Sequence, residues 1–278
     1  MDSVQLILLT AVLGLALALV LFSFQGKKVA TGKSRSPYFK PTFLVVGANG
    51  AGKTSLFYKL QDGAEQLSTV SSLEPNVGKI SIPFSNPAIQ KEYQFIDYPG
   101  HLKYSQLMKK LITEDITVKN LKGVIFVIDS SSQSLAQEGR VATICKLLYD
   151  LLSITEKVPM GIDYLFAINK QDLFDTKPVF KVKNMIEEEI TKLVKEELSA
   201  TGQARGGSGI DNDDDDAEAF SKEESTREFW KALMGSSPAF KFELLEGNME
   251  FLGGSALKNK VQNWQNWFDE KAMNYGGM

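Results

Sequence analysis

The sequence predicts an α/β fold, a mostly parallel six-stranded sheet flanked by helices, behind one N-terminal transmembrane helix. Three observations predict it. Residues 4–24 form one uncharged apolar run; from residue 42 onward short apolar runs alternate with amphipathic stretches; and "GANGAGKT", residues 47–54, stands between an apolar run and a helix-forming one. Such alternation marks strands and helices taking turns in a largely parallel sheet. With 278 residues, 43% hydrophobic and 23% charged, the chain has the material for one sizeable domain plus appendages. A net charge of −3, with no basic face in the part expected to fold, argues against direct contact with nucleic acid, which needs cations to neutralise phosphates.

As a helix rising 1.5 Å per residue, residues 4–24 would reach about 31 Å, matching a hydrocarbon core of about 30 Å. A cleaved signal peptide would carry a basic stretch ahead of a shorter apolar run, and here Asp2 precedes the run. Lys27, Lys28, Lys33, Arg35 and Lys40 follow with no acid among them, and basic flanks stay cytoplasmic, so the rest of the chain is expected in the cytosol. The expected division is an anchor at 1–24, a basic linker at 25–41 with a coil length of roughly 20–25 Å, and a folded domain at 42–275.

Within that domain, strands are expected at 43–47, 79–83, 93–97, 123–129, 163–169 and 240–245. Helices fill the gaps. Apolar residues recur at helical spacing from Val179 through Ile186, Ile190 and Val194, and again at Leu257, Val261, Trp264 and Phe268, where the aromatics read as helix-on-sheet core. Cys145, the single cysteine, lies in an apolar helical stretch and reads as a buried, inert thiol. Between 199 and 225 the composition turns to glycines and aspartates, an expected disordered acidic insertion. Its "DNDDDD" lacks the glycine turn and terminal glutamate of a calcium loop.

"GANGAGKT" fits G-x-x-x-x-G-K-[ST] in full. The loop of Gly47, Asn49, Gly50, Ala51 and Gly52 lets consecutive backbone N–H groups close around phosphates, and the helix entered at Lys53, Thr54 and Ser55 adds its positive N-terminal end. Lys53 supplies a point charge to the β- and γ-phosphates, and the Thr54 hydroxyl is placed for Mg²⁺. "NKQD", Asn169 to Asp172, resembles the N-K-x-D element of the small GTPases. The Asp172 carboxylate can accept both N1–H and the exocyclic amine of guanine, a pairing that adenine does not offer. Asn169 would brace the loop and the Lys170 stem would lie along the base.

The resemblance extends further and implies GTP and Mg²⁺ as ligands. "DYPG" matches the D-x-x-G element, in which Asp97 would hold Mg²⁺ through water and the Gly100 amide would touch the γ-phosphate. "GGSAL" is similar to the S-A-K element that closes over the base, which carries over to Ser255 and Ala256, with Leu257 standing where lysine is usual. "TVSSLEPNV" is similar to the first switch of ADP-ribosylation factors; it puts Ser72 on the Mg²⁺-capping threonine, with Ser71 as the alternative. His101 occupies the place of the water-orienting glutamine, either as a catalytic group or as a loop residue at a partner surface.

Together with the anchor, these elements resemble the β-subunit family of the eukaryotic signal recognition particle receptor, an Arf/Sar-related group with a P-loop G domain. The resemblance implies a single-pass protein of the endoplasmic reticulum membrane with a cytosolic GTPase domain. Its switch regions would bind the N-terminal domain of the receptor's α subunit, with the translocon or ribosome as further contacts. Intrinsic hydrolysis is expected to be slow, since the sequence shows no arginine finger in cis. The alternatives are an Arf/Sar-like GTPase of vesicle budding and a passive GTP-bound membrane tether.

Overall fold

The computed structural model describes residues 40–62, 69–200, 214–235 and 237–275. Residues 4–24 and all of the expected linker except its last two residues lie outside these; among the described residues no helix is long and apolar enough to cross a membrane.

Six strands form one sheet: β1 (Thr42–Val46), β2 (Asn76–Ile82), β3 (Lys91–Asp97), β4 (Leu121–Asp129), β5 (Tyr164–Asn169) and β6 (Met249–Gly253), in spatial order β2-β3-β1-β4-β5-β6. All neighbours run parallel except β2 against β3. Helices are α1 (Lys53–Asp62), α2 (Ser105–Lys110, running on as a π-helical turn, Leu111–Ile116), α3 (Ser132–Leu135), α4 (Arg140–Thr155), α5 (Val179–Ala200), α6 (Asp214–Met234) and α7 (Gln262–Tyr275). The architecture is the α/β one expected from sequence, and five of the six strands fall where the apolar runs put them.

Alternation along the strands divides the core. Phe43, Val45, Ile125, Val127, Leu165 and Ala167 face α1 and α7, meeting Phe57, Trp264, Trp267 and Phe268. Leu44, Val46, Phe126, Ile128, Phe166 and Ile168 face the other layer, where α4 and α5 contribute Leu148, Leu152, Ile186 and Ile190. Because both faces are covered, the central strands carry continuous apolar runs. Cys145 is fully buried on α4, and burial pushes its thiol well above the ordinary range.

Three expectations are corrected. The run at 240–245 is not a strand: it holds a 3₁₀ turn, Phe242–Leu244, and the sixth strand is Met249–Gly253. Phe240 and Phe242 are buried, and the turn is pinned by Glu187, whose carboxylate accepts from the Phe242 amide and pairs with Lys241 at 2.6 Å. Leu257 is not on the last helix; it precedes α7 and is 55% exposed. The acidic stretch is not irregular throughout, because α6 begins at Asp214 and carries Trp230 into the core, stacked on Tyr149 at 4.8 Å. Residues 201–213 lie outside the described residues.

Candidate nucleotide site

The carboxyl ends of β1, β3, β4, β5 and β6 open on one crevice, the place where open α/β sheets take ligands. A cleft of about 290 Å³ lies there, bounded by the loop after β1, the segment before β2, the β3 end and the loops after β5 and β6.

The loop at 47–54 needs its glycines. At Gly52, φ is +96° and a Cβ would drive into the side-chain amide of Asn169; at Gly100, a Cβ would lie 2.6 Å from the Lys53 ammonium. The backbone is therefore kept bare where Lys53 and Gly100 close on the cleft. Lys53 is 7% exposed, and its Nζ donates to the Ala48 carbonyl at 3.2 Å. Burial lowers the Lys53 pKa to about 8, against the pull of Asp97 and with a further push from Arg140. A buried ammonium held mainly by a neutral carbonyl is an anion site in waiting.

Thr54, Ser72 and Asp97 converge beside it. Thr54 Oγ1 donates to Asp97 Oδ2 at 2.7 Å, and Ser72 Oγ lies 3.2 Å from Thr54 Oγ1. Asn76 donates from Nδ2 to both Ser72 Oγ at 3.1 Å and Asp97 Oδ2 at 2.9 Å. The pairing of Asn76 with Asp97 across β2 and β3 places it there. Asp97 Oδ1 is buried with no hydrogen-bond partner among the described residues. Burial raises the Asp97 pKa, opposed by Thr54, Asn76 and Lys53. Two hydroxyls beside a carboxylate with one unpartnered oxygen suit Mg²⁺, which takes few protein ligands and fills its octahedron with water and phosphate. The donors present thus fit the ion that the motifs imply. Ser71 also lines the cleft, whereas Ser72 alone reaches Thr54.

The other end of the cleft is built on Asn169. Its Nδ2 donates to Ala51 O at 2.8 Å and its Oδ1 accepts from the Ala256 amide at 3.0 Å, so one buried side chain ties the phosphate loop to the loop after β6. Lys170, at φ +64°, pairs with Asp129 at 2.8 Å. Burial works against the Asp129 carboxylate, but the bonds from Lys170 and Ser131 outweigh it and hold its pKa below the usual range. Lys170, Asp172, Leu173, Ala256 and Leu257 line this end.

Of the residues singled out in the sequence, Asn49, Gly50, Gly52, Lys53, Thr54, Ser55, Ser72, Gly100, Asn169, Lys170, Asp172 and Ala256 line the cleft. Gly47 and Ala51 shape the loop from behind. Ser255 is fully buried; its Oγ accepts from the Lys258 amide, a bond within its own turn. His101 is exposed and outside the lining, and its Nδ1 accepts from the Lys103 amide at 3.1 Å, capping the turn Leu102–Tyr104. Three contributors escaped the sequence reading. Asn76 belongs to "TVSSLEPNV", but its bond to Asp97 needs the β2–β3 register; Asp129 and Arg140, whose Nη2 donates to the Asn49 carbonyl, lie far along the chain from the loops they serve.

Comparison with known proteins agrees with this geometry. The family model for "Signal recognition particle receptor beta subunit" matches residues 38–249. The signal recognition particle receptor subunit beta of Saccharomyces cerevisiae is 29% identical over 266 residues, covering 94% of this chain and 95% of that protein. Among solved structures, the mammalian SRP receptor superimposes with a TM-score of 0.60 at 22% identity, over 83% of this chain and 100% of that one. The SRb-GTP/SRX complex from Chaetomium thermophilum gives 0.58 at 22% identity, over 83% of this chain and 98% of that one. At such identity the structural likenesses speak for the fold, while the family model spans most of the sequence: the chain belongs to the signal recognition particle receptor beta subunit family.

Proposed function

We propose that the chain binds GTP with Mg²⁺ and, in that state, holds the α subunit of the signal recognition particle receptor at the endoplasmic reticulum membrane. The observation that carries this reading is that Lys53, Thr54 and Ser72, with Asp97 bonded behind Thr54, stand at one end of a single cleft and Asp172 at the other, which suits triphosphate, Mg²⁺ and guanine together. The Chaetomium thermophilum relative, named as an SRb-GTP/SRX complex, supports both ligand and partner. An ion held there would supply positive charge against the phosphates. Thr54 and Ser72 would offer hydroxyls to it, Asp97 a water-mediated carboxylate, and Lys53 a direct charge to the phosphates. Since Ser72 belongs to the segment before β2, loss of a γ-phosphate would release that segment, the means by which a partner senses nucleotide state.

Anchoring rests on the apolar run at 4–24 and its basic flank. His101, engaged at Nδ1 as a cap, would present Nε2 as a donor, which suits a partner-facing loop better than proton abstraction from water. The base-reading role of Asp172 is tested by Asp172→Asn. Asparagine offers one acceptor and one donor, matching xanthine in place of guanine, so preference should move from GTP to xanthosine triphosphate by about 100-fold or more, one bidentate pair being at stake. Competition binding against ATP, GTP and xanthosine triphosphate checks this. Unchanged GTP preference would remove Asp172 from the base site.

A further inference from the structure

The start of α4 brings a second cation to the phosphate end of the cleft. Arg140 follows Gly139, which at φ +71° turns the chain into the helix. Its guanidinium reaches across to the phosphate loop and donates from Nη2 to the Asn49 carbonyl. Nε of the same group is buried and has no hydrogen-bond partner among the described residues. Arg140 is also near enough to Lys53 for the two positive charges to oppose one another.

A guanidinium carries five N–H donors in a rigid plane and suits phosphate oxygens. Holding a neutral carbonyl while a second donor is shut away from water is a poor use of it, unless an anion completes the site. Among the described residues no carboxylate bonds or pairs with Arg140, and the Oδ2 of Asp97, the carboxylate beside Lys53, is taken by Thr54 and Asn76. Arg140 and Lys53, two cations close enough to repel, leave positive charge in excess at this end. Asn49 itself lines the cleft, so Arg140, which is not part of the lining, stands behind the wall that the phosphates would approach.

We propose that Arg140 is a specificity-determining residue that reads the γ-phosphate in cis, biasing the site toward nucleoside triphosphate over diphosphate. The proposal rests on the GTP-binding reading above. The loop amides and the N-terminus of α1 serve the phosphates that GTP and GDP share, and Lys53 spans the β and γ positions; Arg140 adds a second cation where only the triphosphate brings extra charge. The plain alternative is a structural pin, in which Arg140 only fixes the Asn49 carbonyl.

Equilibrium binding of GTP and of GDP to the full chain in detergent, with excess Mg²⁺, separates the two. Arg140→Ala should lower the preference for GTP over GDP by about tenfold or more, the worth of one charge-assisted hydrogen bond, while GDP affinity moves by less than about threefold. Arg140→Gln keeps a donor for Asn49 and drops the charge, and should lose the preference equally; Arg140→Lys should restore part of it. Equal losses for GTP and GDP in Arg140→Ala, or an unchanged preference in Arg140→Gln, would overturn the assignment in favour of the pin. A wild-type chain that bound neither nucleotide would overturn the nucleotide reading itself, and this one with it.

Discussion

Lys53 shows what burying an ammonium costs the fold. Its ordinary pKa of 10.5 falls to about 8 through burial, so the unfolded chain holds that proton more tightly than the folded one. The sign follows directly: below pH 8 the nucleotide-free fold bears the whole cost, and between pH 8 and 10.5 its stability recovers as the folded lysine gives up its proton. Lys53→Met should therefore stabilise the nucleotide-free chain at pH 7 by about 1–3 kcal/mol while abolishing Mg²⁺–nucleotide binding. Urea unfolding in chelator at pH 7 and pH 9.5 checks this, with the gap between wild type and variant narrowing at the higher pH. The placement of Lys53 on the cleft was legible in the sequence because the G-x-x-x-x-G-K-[ST] pattern fixes its distance from the loop glycines. Asn76 and Arg140 were not, because neither spacing nor local pattern reveals a bond made across a strand register or from the start of another helix. His101 was legible as a position, but its bond to the Lys103 amide depends on the turn that follows.

At the scale of elements, the central strands were legible because burial on both faces leaves them uniformly apolar. The sixth was misplaced for the converse reason. β6 is an edge strand with every residue only half-buried, whereas Phe240 and Phe242 just before it are buried and looked more strand-like. What keeps that run from pairing is Glu187 on α5, which holds the Phe242 amide and Lys241, a contact between distant parts of the chain. α6 was hidden for a similar reason. Its acidic first half has no apolar stripe in sequence, while Trp230 near its end reaches the core, stacked on Tyr149 and edge-on to Phe240 at 5.5 Å. Trp230→Ala should cost about 3–5 kcal/mol and leave the isolated cleft able to bind GTP within a few-fold of wild type. Thermal melting and nucleotide titration of the same sample measure both. A melting point unchanged by the substitution would mean that α6 is not part of the cooperative unit.

Over the whole molecule, the chemistry gathers along one edge of the sheet. The loop after β1, Asp97 ending β3, Asp129 ending β4, Asn169 ending β5 and the turn after β6 meet there, and Asn169 bonds both the phosphate loop and the Ala256 amide. The segment before β2 joins this edge through Thr69, whose Oγ1 lies 3.0 Å from Ser55 Oγ, and through Ser72, which bonds Thr54 and Asn76. That segment also exposes the apolar side chains of Val70 at 87% and Leu73 at 73%, on either side of the Ser72 hydroxyl that bonds Thr54. A partner that covers them would feel whether the γ-phosphate and its ion are present.

The most direct test is the affinity of the full chain for the N-terminal domain of the receptor's α subunit, measured by titration with the chain loaded with Mg²⁺ and a non-hydrolysable GTP analogue, with Mg²⁺ and GDP, or with neither. Tight binding to the GTP-analogue form, weaker by about 100-fold or more in the other two, is the outcome expected of a segment ordered by the γ-phosphate. Equal affinity in all three would contradict the account, leaving the nucleotide as a structural filler and the chain as a passive tether.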